Sequence, residues 1–361
     1  MFKKIFIGLL VLIISFAGFF YWFINLLPKL PDQAALKTTT PSQLTYLQGR
    51  VNESRGKILA VVTSASEMGS SGKTTGYELT ELSRAYYVFE ANGFEVDIAS
   101  PKGGKPPVVL DDDDMAEFDY AFLNDNDAQQ KATNTLKLST INPSDYEAVY
   151  FVGGKGAMFD FPDNESIKQL VNHLYQNNKV ISAVCHGPAA LVNVVDESGI
   201  PIIKNKRVSA FTNSEELLLI PDAEEIFPFL LQTKLESNGA KFVEGPNYLN
   251  QISHDENIIT GQNPWSVWSL TEAVIKQLGY APIPRTITPN ERSIEVLLTF
   301  ENSGLEEAKK HLYDLVINQK VEVDRILLAM HSIVAVMDFE LSKSTQLIQL
   351  VSYAKSLQQP S

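Results

Sequence analysis

The chain has 361 residues, 44% of them hydrophobic and 20% charged, with a net charge of −13. That composition is globular rather than disordered, and the acidic balance argues against a nucleic-acid partner, which needs clustered Lys and Arg. A single cysteine excludes an intrachain disulfide framework and any Cys-rich metal site.

Residues 5–27, "IFIGLLVLIISFAGFFYWFINLL", carry no charge. As a helix the run would be ~35 Å long, enough to cross a ~30 Å hydrocarbon core. It is longer than the apolar region of a cleaved signal and lacks a convincing A-x-A site. The expectation is therefore a single-pass transmembrane anchor over 5–27. Lys3 and Lys4 favour a cytoplasmic N-terminus, with the rest of the chain extracytoplasmic, although Lys29 and Lys37 on the other flank weaken that orientation.

Residues 28–54, interrupted by Pro28, Pro31 and Pro41, read as a linker. From residue 55 to 282 short apolar runs alternate with helical patterns. "KILAVVTSA" (57–65), "FEVDIAS" (94–100), "YEAVYFVGG" (146–154) and "VISAV" (180–184) have strand character. Between them, 76–93 places Leu79, Leu82, Ala85, Tyr86 and Phe89 at helical spacing, and 163–179 is also helical. This rhythm predicts a parallel sheet sandwiched by helices, with ligands at the carboxyl ends of the strands. The run "DDDDMAEFDYAFLNDND" (111–127) has eight acids and no base. It lacks the spacing of a calcium loop, so a solvated surface insertion is expected.

Residues 286–361 contain one glycine, Gly304, and read as a helical module. Thr288-Pro289-Asn290-Glu291 fits a capping box with Pro at the first helical position, and Ser303 is a candidate cap for a second helix. His311 and His331 have no ligand set around them and read as ordinary surface or core residues.

The lone thiol lies in "VISAVCHGPAALV" (180–192). A strand ends at Val184 and a helix is expected from Pro188, so Cys185 falls on a sharp strand-to-helix turn with the geometry of a nucleophile elbow. Ala183 and Gly187 are small enough for such a turn. Backbone N–H groups at a helix start would lower the thiol pKa and stabilise a substrate oxyanion. A buried cysteine acting as a small hydrophobe is the alternative. His186 is either a proton shuttle or a packing residue of the turn. His254-x-Glu256 in "SHDEN" (253–257) offers a second base, but that segment reads better as a polar hairpin turn.

Six stretches carry a family resemblance: "TGYELTEL", "YYVFEANGFEVDIASPKGGKPP", "YEAVYFVGGKGAMFDFPDN", "VISAVCHGPAAL", "NKRVSAFTNSEE" and "IITGQNPWS". Running in order from residue 56 to residue 280, the chain resembles the ThiJ/PfpI superfamily, in its glyoxalase III-like and stress-chaperone branch, with a glutamine amidotransferase-like fold. The resemblance implies a flavodoxin-like α/β sandwich. It puts the nucleophile on Cys185, its histidine on His186 and the family acid on Glu81, with Glu78 three positions early. It also implies N–H donors near the substrate from Gly153 and Gly154. Where glyoxalase III-like members usually read Gly-His-Gly, this chain has Gly154-Lys155-Gly156, and Lys155 joins the expected substrate-facing set. The implied reaction is metal-free and cofactor-free conversion of methylglyoxal, a small dicarbonyl, to lactate. Alternatives are hydrolysis of amides or peptides by the same thiol, or a chaperone-like or binding protein with a redox-sensitive or vestigial thiol. Family members often dimerise, so a homodimer and a protein partner for the helical tail complete the expectations.

Overall fold

The structure is a computed structural model and describes residues 18, 20–28, 33–111 and 114–358. Two compact units result: Asp32–Thr286, and Ile287–Ser361 together with Met1–Pro31.

The first unit is built on a seven-stranded sheet. Its strands are β1 (Lys57–Val61), β2 (Glu95–Ser100), β3 (Leu136–Lys137), β4 (Ala148–Phe151), β5 (Val180–Val184), β6 (Ile252–Asp255) and β7 (Ile258–Gly261). They lie in the order β6-β7-β5-β4-β1-β2-β3. All neighbours are parallel except the β6–β7 hairpin. The central strands are continuous apolar runs because both faces are covered. Ile58 and Ala60 point into one core, beside helix α1 (Leu79–Ala91), while Leu59 and Val61 point into the other. The first core also takes in helix α2 (Glu117–Leu123) and helix α5 (Val267–Gln277). The second takes in helix α3 (Glu165–Gln176). Strand order reverses between β1 and β4, and a crevice at the carboxyl ends of strands beside such a switch is where open α/β sheets bind ligands.

Every residue of α1 except Glu90 is buried. The acidic run accounts for part of this, and here the expectation of a solvated insertion fails. Residues 117–123 form α2, and Asp119 at 0% exposure meets the equally buried Arg84 of α1 at 3.2 Å. Asp114 closes a second ion pair with Arg84 at 3.4 Å, and Ser83 also donates to Asp119. A cation from α1 offsets the desolvation of two acids that sequence composition assigned to water. Among the described residues no group of three or more His, Cys, Asp or Glu could hold a metal ion.

The second unit contains α6 (Pro289–Ser303), α7 (Leu305–Tyr313), α8 (Arg325–Met337) and α9 (Leu341–Gln358). Thr288 and Glu291 form the capping box of α6. Ser303 is not a cap: it ends α6, and α7 starts after Gly304 at φ +81° without a side-chain cap. Leu297, Leu312, Leu328, Leu350 and Val351 are buried, whereas Phe339 and Leu341 are exposed.

The expected membrane span and the single-pass, extracytoplasmic localisation drawn from it require correction. Among the described residues, no helix is long and apolar enough to cross a membrane. Residues 5–17 and 19 of the run lie outside the described residues. Its described end breaks into a turn after Ile24. There Leu26 is buried, and the Asn25 and Leu26 carbonyls accept hydrogen bonds from Lys355 and Arg325 of the helical unit.

Candidate active site

β5 ends at Val184, and the backbone of Cys185 is pinned on both sides. Its N–H donates to Gly261 O at 2.9 Å, and its carbonyl accepts from Phe211 N at 2.9 Å. So held, Cys185 adopts φ +58°. A non-glycine residue in that region costs ~1–3 kcal/mol and persists only where the surroundings enforce it. The turn aims the thiol off the end of the sheet. In place of the α-helix expected from Pro188, the chain continues as a short 3₁₀ segment, Gly187–Leu191.

His186 lies on the same turn, 2% exposed, with its ring 4.7 Å from Phe211 and 6.2 Å from Phe227. Its Nδ1 is 3.3 Å from Cys185 Sγ and its Nε2 is 2.5 Å from Glu216 Oε2. A carboxylate at Nε2 fixes the tautomer: Nε2 keeps its proton for Glu216, and Nδ1 faces the sulfur as a base. Burial works against ionisation of Glu216, but its attraction to the His186 ring and their hydrogen bond, with Lys155 nearby, hold it below its ordinary value.

Glu216 occupies the first turn of α4 (Asn213–Leu219). The start of that helix is fixed by its neighbour Glu215. Glu215 accepts from Thr212 N (3.0 Å), Tyr248 N (2.7 Å), Gln262 Nε2 (3.0 Å) and Asn263 Nδ2 (3.0 Å). Adjacent glutamates therefore do different work, one tying the loop together and the other facing the imidazole. Residue-type reasoning assigned neither of them a role. The available signal was Thr212-x-x-Glu215, a capping box that marks the helix start and puts the next acid in its first turn.

Glu81 approaches the thiol from the first turn of α1. It is 0% exposed rather than the solvated helix acid its position alone suggests. Its Oε2 accepts from Gly153 N at 2.7 Å, its Oε1 is buried without a hydrogen-bond partner, and the carboxyl lies near enough to Cys185 to act on the thiol electrostatically. A Cβ on Gly153 would come within 2.6 Å of Glu81 Oε2 and 2.8 Å of Cys185 Cβ, so only glycine lets the three groups converge.

Burial pushes the Glu81 carboxyl well up, and nearby Glu78 adds to the shift. Burial likewise pushes the Cys185 thiol up, and the Glu81 carboxyl reinforces it. That direction is opposite to the depression expected from a helix start, and the segment after the thiol is a short 3₁₀ turn rather than an α-helix. Ionising one member of the pair opposes ionising the other.

Gly153 spends its N–H on Glu81, so it positions the acid rather than offering a donor to substrate. Among the described residues the N–H groups of Gly154 and His186 make no hydrogen bond; the latter comes directly after the thiol, where an elbow supplies an oxyanion donor. Lys155, half-buried, acts electrostatically on Cys185, Glu78 and Glu216. His254 is exposed on β6 and bonds Glu256 O (3.0 Å) and Gln277 Oε1 (3.1 Å).

Residues 73–277 match the DJ-1/PfpI family. Glyoxalase 3 of Candida albicans is 33% identical over 232 residues, covering 61% of this chain and 97% of that protein. A glutathione-independent glyoxalase of Schizosaccharomyces pombe is 30% identical over 217 residues, covering 57% of this chain and 90% of that protein. The solved structure of the 24 kDa Rapid Encystment Protein of Francisella tularensis aligns with a TM-score of 0.59 at 36% identity, covering 62% of this chain and 99% of that one. With more than half of its length matched, and the sheet, elbow and buried acid in one unit, this chain belongs to the DJ-1/PfpI family.

Proposed function

We propose that the α/β unit is a cysteine-dependent, glutathione-independent glyoxalase that converts methylglyoxal, a small 2-oxoaldehyde, to lactate. The observation that carries this reading is the convergence on one sulfur of a histidine–carboxylate pair, at 3.3 Å, and a buried carboxyl from α1. The names of the relatives in Candida albicans and Schizosaccharomyces pombe support the same reaction class.

The chemistry follows from the protonation states. His186 Nδ1 takes the thiol proton as Sγ attacks the aldehyde carbon, and the ionised Glu216 stabilises the imidazolium. The developing oxyanion lies toward the N–H groups of Gly154 and His186. In the hemithioacetal, a proton leaves the former aldehyde carbon and one is delivered to the neighbouring carbon through an enediol. His186 and the protonated Glu81 are the two groups in reach to exchange it. The product is a hydroxyacyl thioester, and water then releases lactate and restores the thiol. The aldehyde carbon is oxidised and the ketone carbon reduced within one molecule, so no external redox partner enters.

Lactate formation from methylglyoxal tests the reading. Cys185→Ala should be inactive. Glu81→Gln keeps an acceptor for Gly153 N–H but cannot shuttle a proton, and should lose ~10²–10⁴-fold in kcat. A wild-type protein that makes no lactate, or a Cys185→Ala variant that keeps the rate, would end the glyoxalase reading.

A further inference from the structure

The Gly153–Gly156 turn carries a lysine whose setting differs from that of comparable lysines in the chain. Half-buried Lys131, Lys206 and Lys343 each close ion pairs, with Glu90, with Asp255 and Glu256, and with Glu301 and Glu340. Lys155 is also half-buried, yet among the described residues its ammonium makes no hydrogen bond or ion pair. Its backbone is held tightly. Gly153 abuts Cys185 and Glu81, and Gly154, at φ +94°, packs against Gly76 O, where a Cβ would come within 2.4 Å. The turn therefore places Lys155 beside the thiol site, and its charge acts on Cys185, Glu78 and Glu216 without an ion pair to any of them.

Neither nearby acid pairs with it. Glu216 turns its Oε2 to His186 at 2.5 Å, and its Oε1 is buried without a hydrogen-bond partner. Glu78, at the N-cap of α1, has a buried Oε1 with no hydrogen-bond partner. Burial, with Asp114 and Asp111 close by, raises Glu78 to about 8, so at neutral pH it is mostly a carboxylic acid, a donor rather than a rival for the lysine. A half-buried cation without a counter-ion, beside an uncharged donor, is a receptor for an anion. Lys, a compact point charge, suits a carboxylate without imposing a bidentate geometry.

We propose that Lys155, with Glu78 beside it, binds a carboxylate at the far end of the substrate, so that the site prefers anionic 2-oxoaldehydes to neutral ones. The proposal rests on the glyoxalase reading and narrows its substrate class. With 4,5-dioxopentanoate as the probe, the aldehyde carbon is oxidised to a carboxylate, the adjacent ketone is reduced to an alcohol, and one water is taken up to give 2-hydroxyglutarate.

Two measurements separate this inference from the reaction it builds on. The first needs no turnover: the rate of Cys185 alkylation by anionic iodoacetate relative to neutral iodoacetamide. In the wild type that ratio should exceed the ratio for free cysteine by roughly tenfold at low salt. It should fall to the free-cysteine value in Lys155→Met and persist in Lys155→Arg. The second is kcat/KM for 4,5-dioxopentanoate relative to methylglyoxal, which should drop roughly tenfold in Lys155→Met. An alkylation ratio that is the same in wild type and Lys155→Met overturns the anion site. A ratio that responds to Lys155 while neither dicarbonyl is converted upholds the anion site and overturns the glyoxalase reading.

Discussion

The two units each bury a histidine, and the two residues have opposite characters. His186 in the α/β unit is 2% exposed and bonded at both ring nitrogens, to Cys185 Sγ and Glu216. His331 in the helical unit is 7% exposed, and its ring makes no hydrogen bond or ion pair among the described residues. Burial, with Lys343 nearby, drops its pKa to about 4, so it is neutral packing material at any ordinary pH. Burial alone silences an imidazole, and a buried carboxylate partner is what makes one fit for proton transfer. The α/β unit also buries a cation with acidic partners, Arg84 with Asp119 and Asp114.

The largest effect should come from stripping the partner from one of those buried charges. Arg84→Met leaves Asp119, at 0% exposure, without its cation. Removing one side of a buried pair typically costs ~3–5 kcal/mol, and chemical denaturation of the α/β unit should register a loss of that size. Hydrogen exchange should quicken in α1 (Leu79–Ala91) and leave α8 (Arg325–Met337) unaltered. A loss below ~1 kcal/mol would mean that the pairing does not hold these charges in place, and the contrast between the units would collapse.

Next in size is the change that makes His186 resemble His331. Glu216→Gln keeps an oxygen acceptor for Nε2–H but removes the charge. The lactate-forming kcat should fall ~10²-fold, equivalent to about 3 kcal/mol of transition-state stabilisation. Secondary structure, followed by circular dichroism, should not change. An undiminished kcat would reduce Glu216 to an orienting group whose charge is irrelevant.

These two variants also mark where sequence reading succeeded and where it stopped. The run "VISAV" before Cys185 announces a strand buried on both faces, because an unbroken apolar stretch of that length suits a covered parallel strand. The thiol and His186 follow by adjacency, and Glu81 came through the family resemblance. Glu216 did not, because its partner is 30 residues away and only the packing of α4 brings them together. Asp119 was misjudged for the same reason. Its acidic neighbours suggest solvent, while the cation that admits it to the interior lies 35 residues earlier, on α1. The apolar run at 5–27 was over-read in the other direction: a length criterion cannot register that Leu26 is buried, or that its carbonyl and that of Asn25 accept from Arg325 and Lys355 of the same unit.

The smallest effect comes from the helical unit, and its sign follows from the direction of the shift at His331. The folded-state pKa, about 4, lies below the ordinary value of 6.5 expected in the unfolded chain. Between those values the unfolded chain binds the proton and the folded unit does not. The contribution to stability is therefore complete above pH ~6.5 and is lost as the pH falls toward ~4. Lowering the pH from 7.5 to 5.5 should cost about 1 kcal/mol through this group alone. His331→Leu, which fills the same apolar site without a titratable ring, should remove that part of the pH dependence. Hydrogen exchange in α8, followed at both pH values in wild type and variant, reads it directly. If the variant keeps the full slope, the proton is taken up elsewhere. His331 would then have a partner that lets it charge in place, and the difference between the two buried histidines would be one of degree.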